Sequence, residues 1–226
     1  MRNLERRLDL KSVVAISISA MMGSGIFVLP GLTAAYTGPT VWLAYVLAGI
    51  CILPAAISKS ELATAMPTSG GTYIYLERTF GPLAGAISGL GLWLSILLKS
   101  AFALVGFGAY LAVFTDSSLK ITSLSLLVVI VSLNIIGAGK ISKAAMYIIS
   151  FVIVFLVVLA LWSGVDFQPE RLTPLFPSGV GGLLSATGFV FVSFAGVTKV
   201  AAIAEEIKNP GKNLPQGILI SLLIVT

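Results

Sequence analysis

Two lysines and two glycine-interrupted apolar runs are the places where this sequence could do chemistry. Lys99 and Lys199 each stand within long stretches of Leu, Ile, Val, Ala and Gly. A lysine at the centre of a membrane span costs about 2.5–3.5 kcal/mol on insertion scales, so such a residue reads first as functional. Lys199 therefore either carries a coupled proton or supplies a fixed positive charge. The competing reading is a side chain that snorkels along its helix to the interface. Lys99, next to Ser100, either lines a cavity or snorkels in the same way.

The first interrupted run is Met22-Gly23-Ser24-Gly25-Ile26-Phe27 and the second is Ser193-Phe194-Ala195-Gly196-Val197-Thr198. Two glycines around a serine weaken a helix by about 1 kcal/mol each relative to alanine. A break in lipid is tolerated where the freed backbone groups meet protein, water or ligand. A break at Gly23 would free N–H groups at Gly25, Ile26 and Phe27 and carbonyls around Ala20 to Met22, so that one end suits a carboxylate and the other an ammonium. The alternative is that the glycines simply allow close helix packing. The second run lies five spans after the first. Paired interruptions in corresponding halves point to a midplane binding site between inverted repeats.

Composition narrows the classes further. Of 226 residues, 57% are hydrophobic and 10% charged, against about 25% charged in soluble domains, and the mean hydropathy is +1.04. The chain is an integral membrane protein. With no histidine and one cysteine, Cys51, it lacks the parts of a zinc site, a disulfide framework or a histidine-based triad. No metal or organic cofactor is implied, and an enzyme is disfavoured. The net charge of +5 sits in loops rather than on a nucleic-acid-binding face.

A helical crossing needs about 20 apolar residues. Six such spans are legible, over 13–36, 40–57, 83–114, 121–136, 144–162 and 180–204, with a seventh begun at 218–226. A cleaved leader at the N-terminus is disfavoured because the apolar run resumes after Gly25 and continues to Tyr36. With a cytoplasmic N-terminus, Arg2, Arg6, Arg7, Lys11, Lys59, Arg78, Lys140, Lys143, Lys208 and Lys212 fall inside, and Lys120 and Arg171 outside. That asymmetry sets the orientation. The acidic residues all belong to loops or span ends. If Lys99 and Lys199 both line a cavity, two lysines without an acid at their depth repel a cationic substrate and favour neutral or acidic ones.

At these residues the sequence resembles the amino acid, polyamine and organocation transporter superfamily. The resemblance rests on Gly23-Ser24-Gly25-Ile26-Phe27, on Glu61-Leu62 with Met66-Pro67-Thr68-Ser69-Gly70-Gly71-Thr72-Tyr73-Ile74-Tyr75, and on Phe194-Ala195-Gly196 followed by Glu205 to Pro215. It implies an all-α membrane fold of two inverted five-helix repeats with broken first and sixth helices, residues 1–162 forming the first repeat and 163–226 the start of the second. It also implies alternating-access movement of amino acids or related amines, in a multi-pass protein of the cell membrane. The chain reads as an amino acid carrier working by proton symport or exchange, with sodium symport open because the family's sodium sites draw ligands from an eighth helix that these residues do not reach. Backbone N–H groups of Ser24, Gly25 and Ile26, beside Gly23, would hold the substrate carboxylate. Carbonyls near Ala20, Met21, Phe194 and Ala195, beside Gly196, would receive its amino group. Phe194 matches an aromatic position that closes over substrate, with plain packing as the alternative. The sequence departs from relatives that carry a lysine in the fifth helix, since Ile149 to Ile153 contains none.

Glu205, Glu206 and Lys208 read as a solvated cytoplasmic end, or as a gate paired with the basic N-terminus. Because the seventh span stops after nine residues, the chain reads as part of a longer carrier. The rival from another class is a non-transporting amino acid sensor or a half-size subunit. Oligomeric state is not legible in this sequence.

Overall fold

The computed structural model describes residues 6, 8–66, 68, 70–115, 118–136, 138–165, 168, 173–174 and 177–226, excluding the side chains of residues 24, 136, 138–146, 165 and 198. The described elements are helices: α1 (Leu10–Met21), α2 (Ser24–Phe27), α3 (Leu29–Thr37), α4 (Val41–Ala65), α5 (Thr72–Phe80), α6 (Pro82–Phe114), α7 (Leu119–Ile136), α8 (Ala138–Val165), α9 (Gly179–Phe194) and α10 (Pro210–Val225), with a 3₁₀ segment over Val197–Glu206 between the last two.

Among the described residues, four stretches are long and apolar enough to cross a bilayer: Gly25–Ala65, Pro82–Phe114, Tyr147–Gly164 and Gly179–Glu206. The sequence predicts six. The stretch Gly25–Ala65 runs across parts of the spans 13–36 and 40–57, and the interruption at Met22 and Gly23 leaves Leu10–Met21 a short apolar helix by itself. Leu119–Ile135 is likewise a shorter apolar helix.

The core lies between α1, α4, α9, α10 and the 3₁₀ segment. On α4 the buried positions Ala44, Ala48, Ile52, Ala56 and Ser60 recur every fourth residue, which sets one ridge of small side chains along the helix. Small residues on such a ridge let neighbouring backbones approach closely, the usual basis of helix association in lipid. On α9 the buried set is Leu183, Ala186, Thr187, Val190, Ser193 and Phe194; on α10 it is Leu214, Gly217, Ile218, Ser221 and Leu222. Both follow the three-and-four spacing of a single helical face. Much of α6, α7 and α8 instead exposes Leu, Ile, Val and Phe side chains, a surface suited to hydrocarbon contact.

The segment before α1 is tied to the far end of the 3₁₀ segment. Leu8 N–H donates to the Glu206 carbonyl at 2.9 Å, and Lys208 N–H donates to the Leu8 carbonyl at 2.8 Å, making a parallel bridge between Leu8 and Ile207. Asp9 then caps α1 by accepting from the Ser12 N–H and hydroxyl at 2.9 and 2.8 Å. Of the gate suggested by the sequence, Arg2 and Arg7 lie outside the described residues, and backbone bonds make the tie seen here.

Candidate functional site at the crossing of two interrupted helices

Each interruption is built by its own residues. α1 ends at Met21 because Met22 turns extended, with ψ of 144°. Gly23 follows at φ +143°, a conformation that side chains other than glycine rarely adopt. The chain re-enters helix at Ser24, and the Gly23 carbonyl accepts from the Ile26 and Phe27 N–H groups at 3.1 and 3.2 Å. Thus two of the three N–H groups that the sequence leaves free are occupied by the turn itself. In the second interruption α9 tightens at its end, with Ala195 N–H bonding the Val192 carbonyl at 3.4 Å, and the chain continues as 3₁₀ helix from Val197. Long 3₁₀ stretches are uncommon and often mark hinges.

The two interruptions touch. A Cβ on Gly196 would lie 2.0 Å from the Ala20 carbonyl oxygen, and one on Gly25 would lie 2.6 Å from the Ser193 side chain. Glycine at these two positions is what lets the backbones cross. Met21 and Phe194 are fully buried beside the crossing.

Into this crossing reaches Lys99 from α6. Its Nζ donates to the Ala20 carbonyl at 3.2 Å and to the Ser193 carbonyl at 3.4 Å. The side chain thus turns toward the crossing of the two interruptions. Both acceptors belong to the last turns of interrupted helices, where the helix dipole favours a cation. Lys199 is half-buried in the 3₁₀ segment that follows the second interruption.

Tyrosines hold the other side. Tyr45 of α4 donates its hydroxyl to the Gly25 carbonyl and meets Phe194 edge-on, the ring centroids 6.4 Å apart. Tyr110 of α6 donates to the Phe27 carbonyl. Ser100 bonds back to the Ile96 carbonyl at 2.9 Å and, with Gly23 and Phe27, lines an apolar cavity of about 780 Å³. Ala195 is exposed and Ile26 half-buried; the Ser24 and Thr198 side chains lie outside the described set. The Ser193 hydroxyl is buried without a hydrogen-bond partner among the described residues.

Tyr45, Tyr110 and the Ser193 carbonyl carry no signal in the sequence. Each tyrosine stands in an apolar run, where an aromatic residue ordinarily reads as packing, and its acceptor is a distant backbone carbonyl.

The sequence pattern of the amino acid permease family matches residues 8–226. This chain belongs to that family. The permease chain is 31% identical to a branched-chain amino acid permease of Bacillus subtilis, over 100% of its own length and 53% of the relative's. It is 31% identical to the Arabidopsis thaliana protein named cationic amino acid transporter 7, chloroplastic, over 98% of this chain and 43% of that one. A methylthioribose transporter of B. subtilis is 26% identical, over 100% of this chain and 53% of the relative. The chain therefore spans about half the length of the curated relatives it matches. Family membership and the apolar helices make it a multi-pass, all-α membrane protein of the amino acid permease family.

Proposed function

We propose that this permease chain forms the ligand-handling part of a secondary carrier that moves amino acids by alternating access. The observation that carries the reading is the crossing of two interrupted helices with the Lys99 ammonium on carbonyls of both. A site made from helix ends, not from helix sides, offers backbone groups to a zwitterion and can open toward either face as the half-helices tilt. The spans over 13–36, 40–57, 83–114, 121–136 and 144–162 then make one five-helix repeat, and residues 163–226 begin its inverted counterpart. The positive-inside balance supports a cytoplasmic N-terminus in the cell membrane.

Substrate charge follows from the site. Lys99 bonds carbonyls on both sides of the crossing, Lys199 lies in the 3₁₀ segment that follows the second interruption, and the acidic residues of the sequence lie in loops or at span ends. Neutral or acidic amino acids fit that field better than cationic ones. The relative named for branched-chain substrates agrees with this preference, while the one named for cationic substrates sets the competing expectation. Lys199 serves as the proton-carrying or fixed-charge group, in symport or exchange. Carboxylate recognition falls to the backbone at Gly23, Ser24, Gly25 and Ile26, with Ile26 released from Gly23 when the substrate binds. Amino-group recognition falls to carbonyls at Ala20, Met21, Phe194 and Ala195, next to Gly196.

The test uses the full-length protein in liposomes, assayed for uptake and counterflow of a panel of amino acids with and without an imposed pH gradient. Saturable transport of neutral or acidic members is expected, together with a changed pH dependence in Lys199→Met. Absence of uptake and counterflow for every amino acid would overturn the transport reading. An unaltered pH profile in Lys199→Met would remove that residue from coupling.

A further inference from the structure

We propose that the Lys99 ammonium is a built-in occupant of the cation position at the helix crossing, and that a ligand's amino group must displace it to bind. The inference rests on the transport reading for the identity of its ligand, but not for the site itself.

Four observations carry it. The Ala20 and Ser193 carbonyls leave the regular helical ladder at the interruptions, because the residue four positions after each opens a new element, α2 or the 3₁₀ segment. Such end carbonyls attract a cation. Lys99 supplies one from 79 and 94 residues away in sequence, joining three elements through one side chain. Its bonds are long, at 3.2 and 3.4 Å, where a charge-assisted N–H···O bond is ordinarily about 2.7–2.9 Å, and bonds of that length are weaker than ordinary charge-assisted ones. Finally, the Ser193 hydroxyl is buried at the same crossing without a hydrogen-bond partner among the described residues. Buried polar atoms are almost always paired, and a ligand polar group seated here would supply the missing partner.

The consequence concerns specificity. In the native protein a ligand ammonium replaces one cation with another, so the amino group adds little to affinity. With Lys99 neutralised, the two carbonyls lack their cation, and a ligand amino group gains their full attraction. A hydrogen bond to a charged group then favours the amine-bearing ligand by on the order of tenfold or more.

The experiment uses the purified full-length protein, as wild type and Lys99→Met, with two probes. The first is methylammonium, read by the thermal unfolding midpoint against an equal concentration of tetramethylammonium, which has no N–H to donate. Methylammonium should raise the midpoint of Lys99→Met and leave the wild type unchanged. An equal response of the two proteins, or a response of neither, overturns the proposal. The second probe is the affinity ratio of L-leucine to 4-methylpentanoate, the same carboxylic acid without the amino group. A wild-type ratio below about tenfold, rising at least tenfold in Lys99→Met, is expected. A wild-type ratio beyond about a hundredfold overturns the proposal without any variant, which covers the case in which Lys99→Met does not fold. Failure of the whole amino acid panel, with the methylammonium response intact, would sink the transport reading and leave the Lys99 assignment standing.

Discussion

Gly196 and Ala20 approach so closely that a Cβ on residue 196 would lie 2.0 Å from the Ala20 carbonyl oxygen. No rotamer change can relieve that contact, because the obstructing atom is backbone. Gly196→Ala should cost roughly 1–3 kcal/mol or more, the usual range for overpacking a filled interior, and should abolish transport by prising the two interruptions apart. Gly188→Ala is the control, since a Cβ there meets nothing within 4 Å; on helix propensity it should stabilise by up to about 1 kcal/mol. Thermal unfolding in detergent of the two variants distinguishes them, and equal midpoints would contradict the crossing.

The neighbouring contact is reciprocal and therefore open to a double-mutant cycle. A Cβ on residue 25 would lie 2.6 Å from both Cβ and Oγ of Ser193. Gly25→Ala alone should destabilise, and Ser193→Gly in the same chain should restore part of the loss, with a coupling of about 0.5–3 kcal/mol. Strict additivity would show that the two residues do not meet.

Tyr45 separates a hydrogen bond from a ring contact. Tyr45→Phe removes the hydroxyl that bonds the Gly25 carbonyl while keeping the edge-on contact with Phe194, so its expected cost is about 1 kcal/mol. Tyr45→Ala removes both and should cost more. Similar unfolding midpoints for the two variants would assign the whole contribution to the hydroxyl.

The tie between Leu8 and Ile207 predicts a pattern of amide exchange. Leu8→Pro deletes the N–H that bonds the Glu206 carbonyl, weakening the bridge by about 1 kcal/mol. Hydrogen–deuterium exchange of Lys208, whose N–H bonds the Leu8 carbonyl, should accelerate, while exchange within α9 stays unchanged. Unaltered exchange at Lys208 would mean the bridge does not form in the membrane.

Asp9 makes the same end of the chain sensitive to acid. The N–H and hydroxyl of Ser12 hold its carboxyl below the ordinary carboxylate value. A depressed folded-state value contributes stability above the unfolded pKa and loses it as pH falls through the lowered one. Exchange protection at the first turn of α1 should therefore persist at neutral pH and fade in acid below about pH 4. Asp9→Ala should show the faded level at every pH, and a pH-independent profile in the native chain would refute the cap.

The sequence by itself determines where this protein breaks its helices and that it lives in a membrane. Met22-Gly23-Ser24-Gly25 weakens a helix through residues adjacent in the chain, and the apolar runs follow from composition; both are local properties, legible without a fold. The tertiary structure alone decided that Lys99 turns inward. A lysine in an apolar run can snorkel or face a cavity, and the choice depends on carbonyls of Ala20 and Ser193 that lie far away in sequence. It also decided the roles of Tyr45 and Tyr110, whose acceptors are the Gly25 and Phe27 carbonyls of the short helix that follows the first interruption. Residue types mark the breaks, but which side chain fills them is a matter of distance in space, and that exists only after the helices cross.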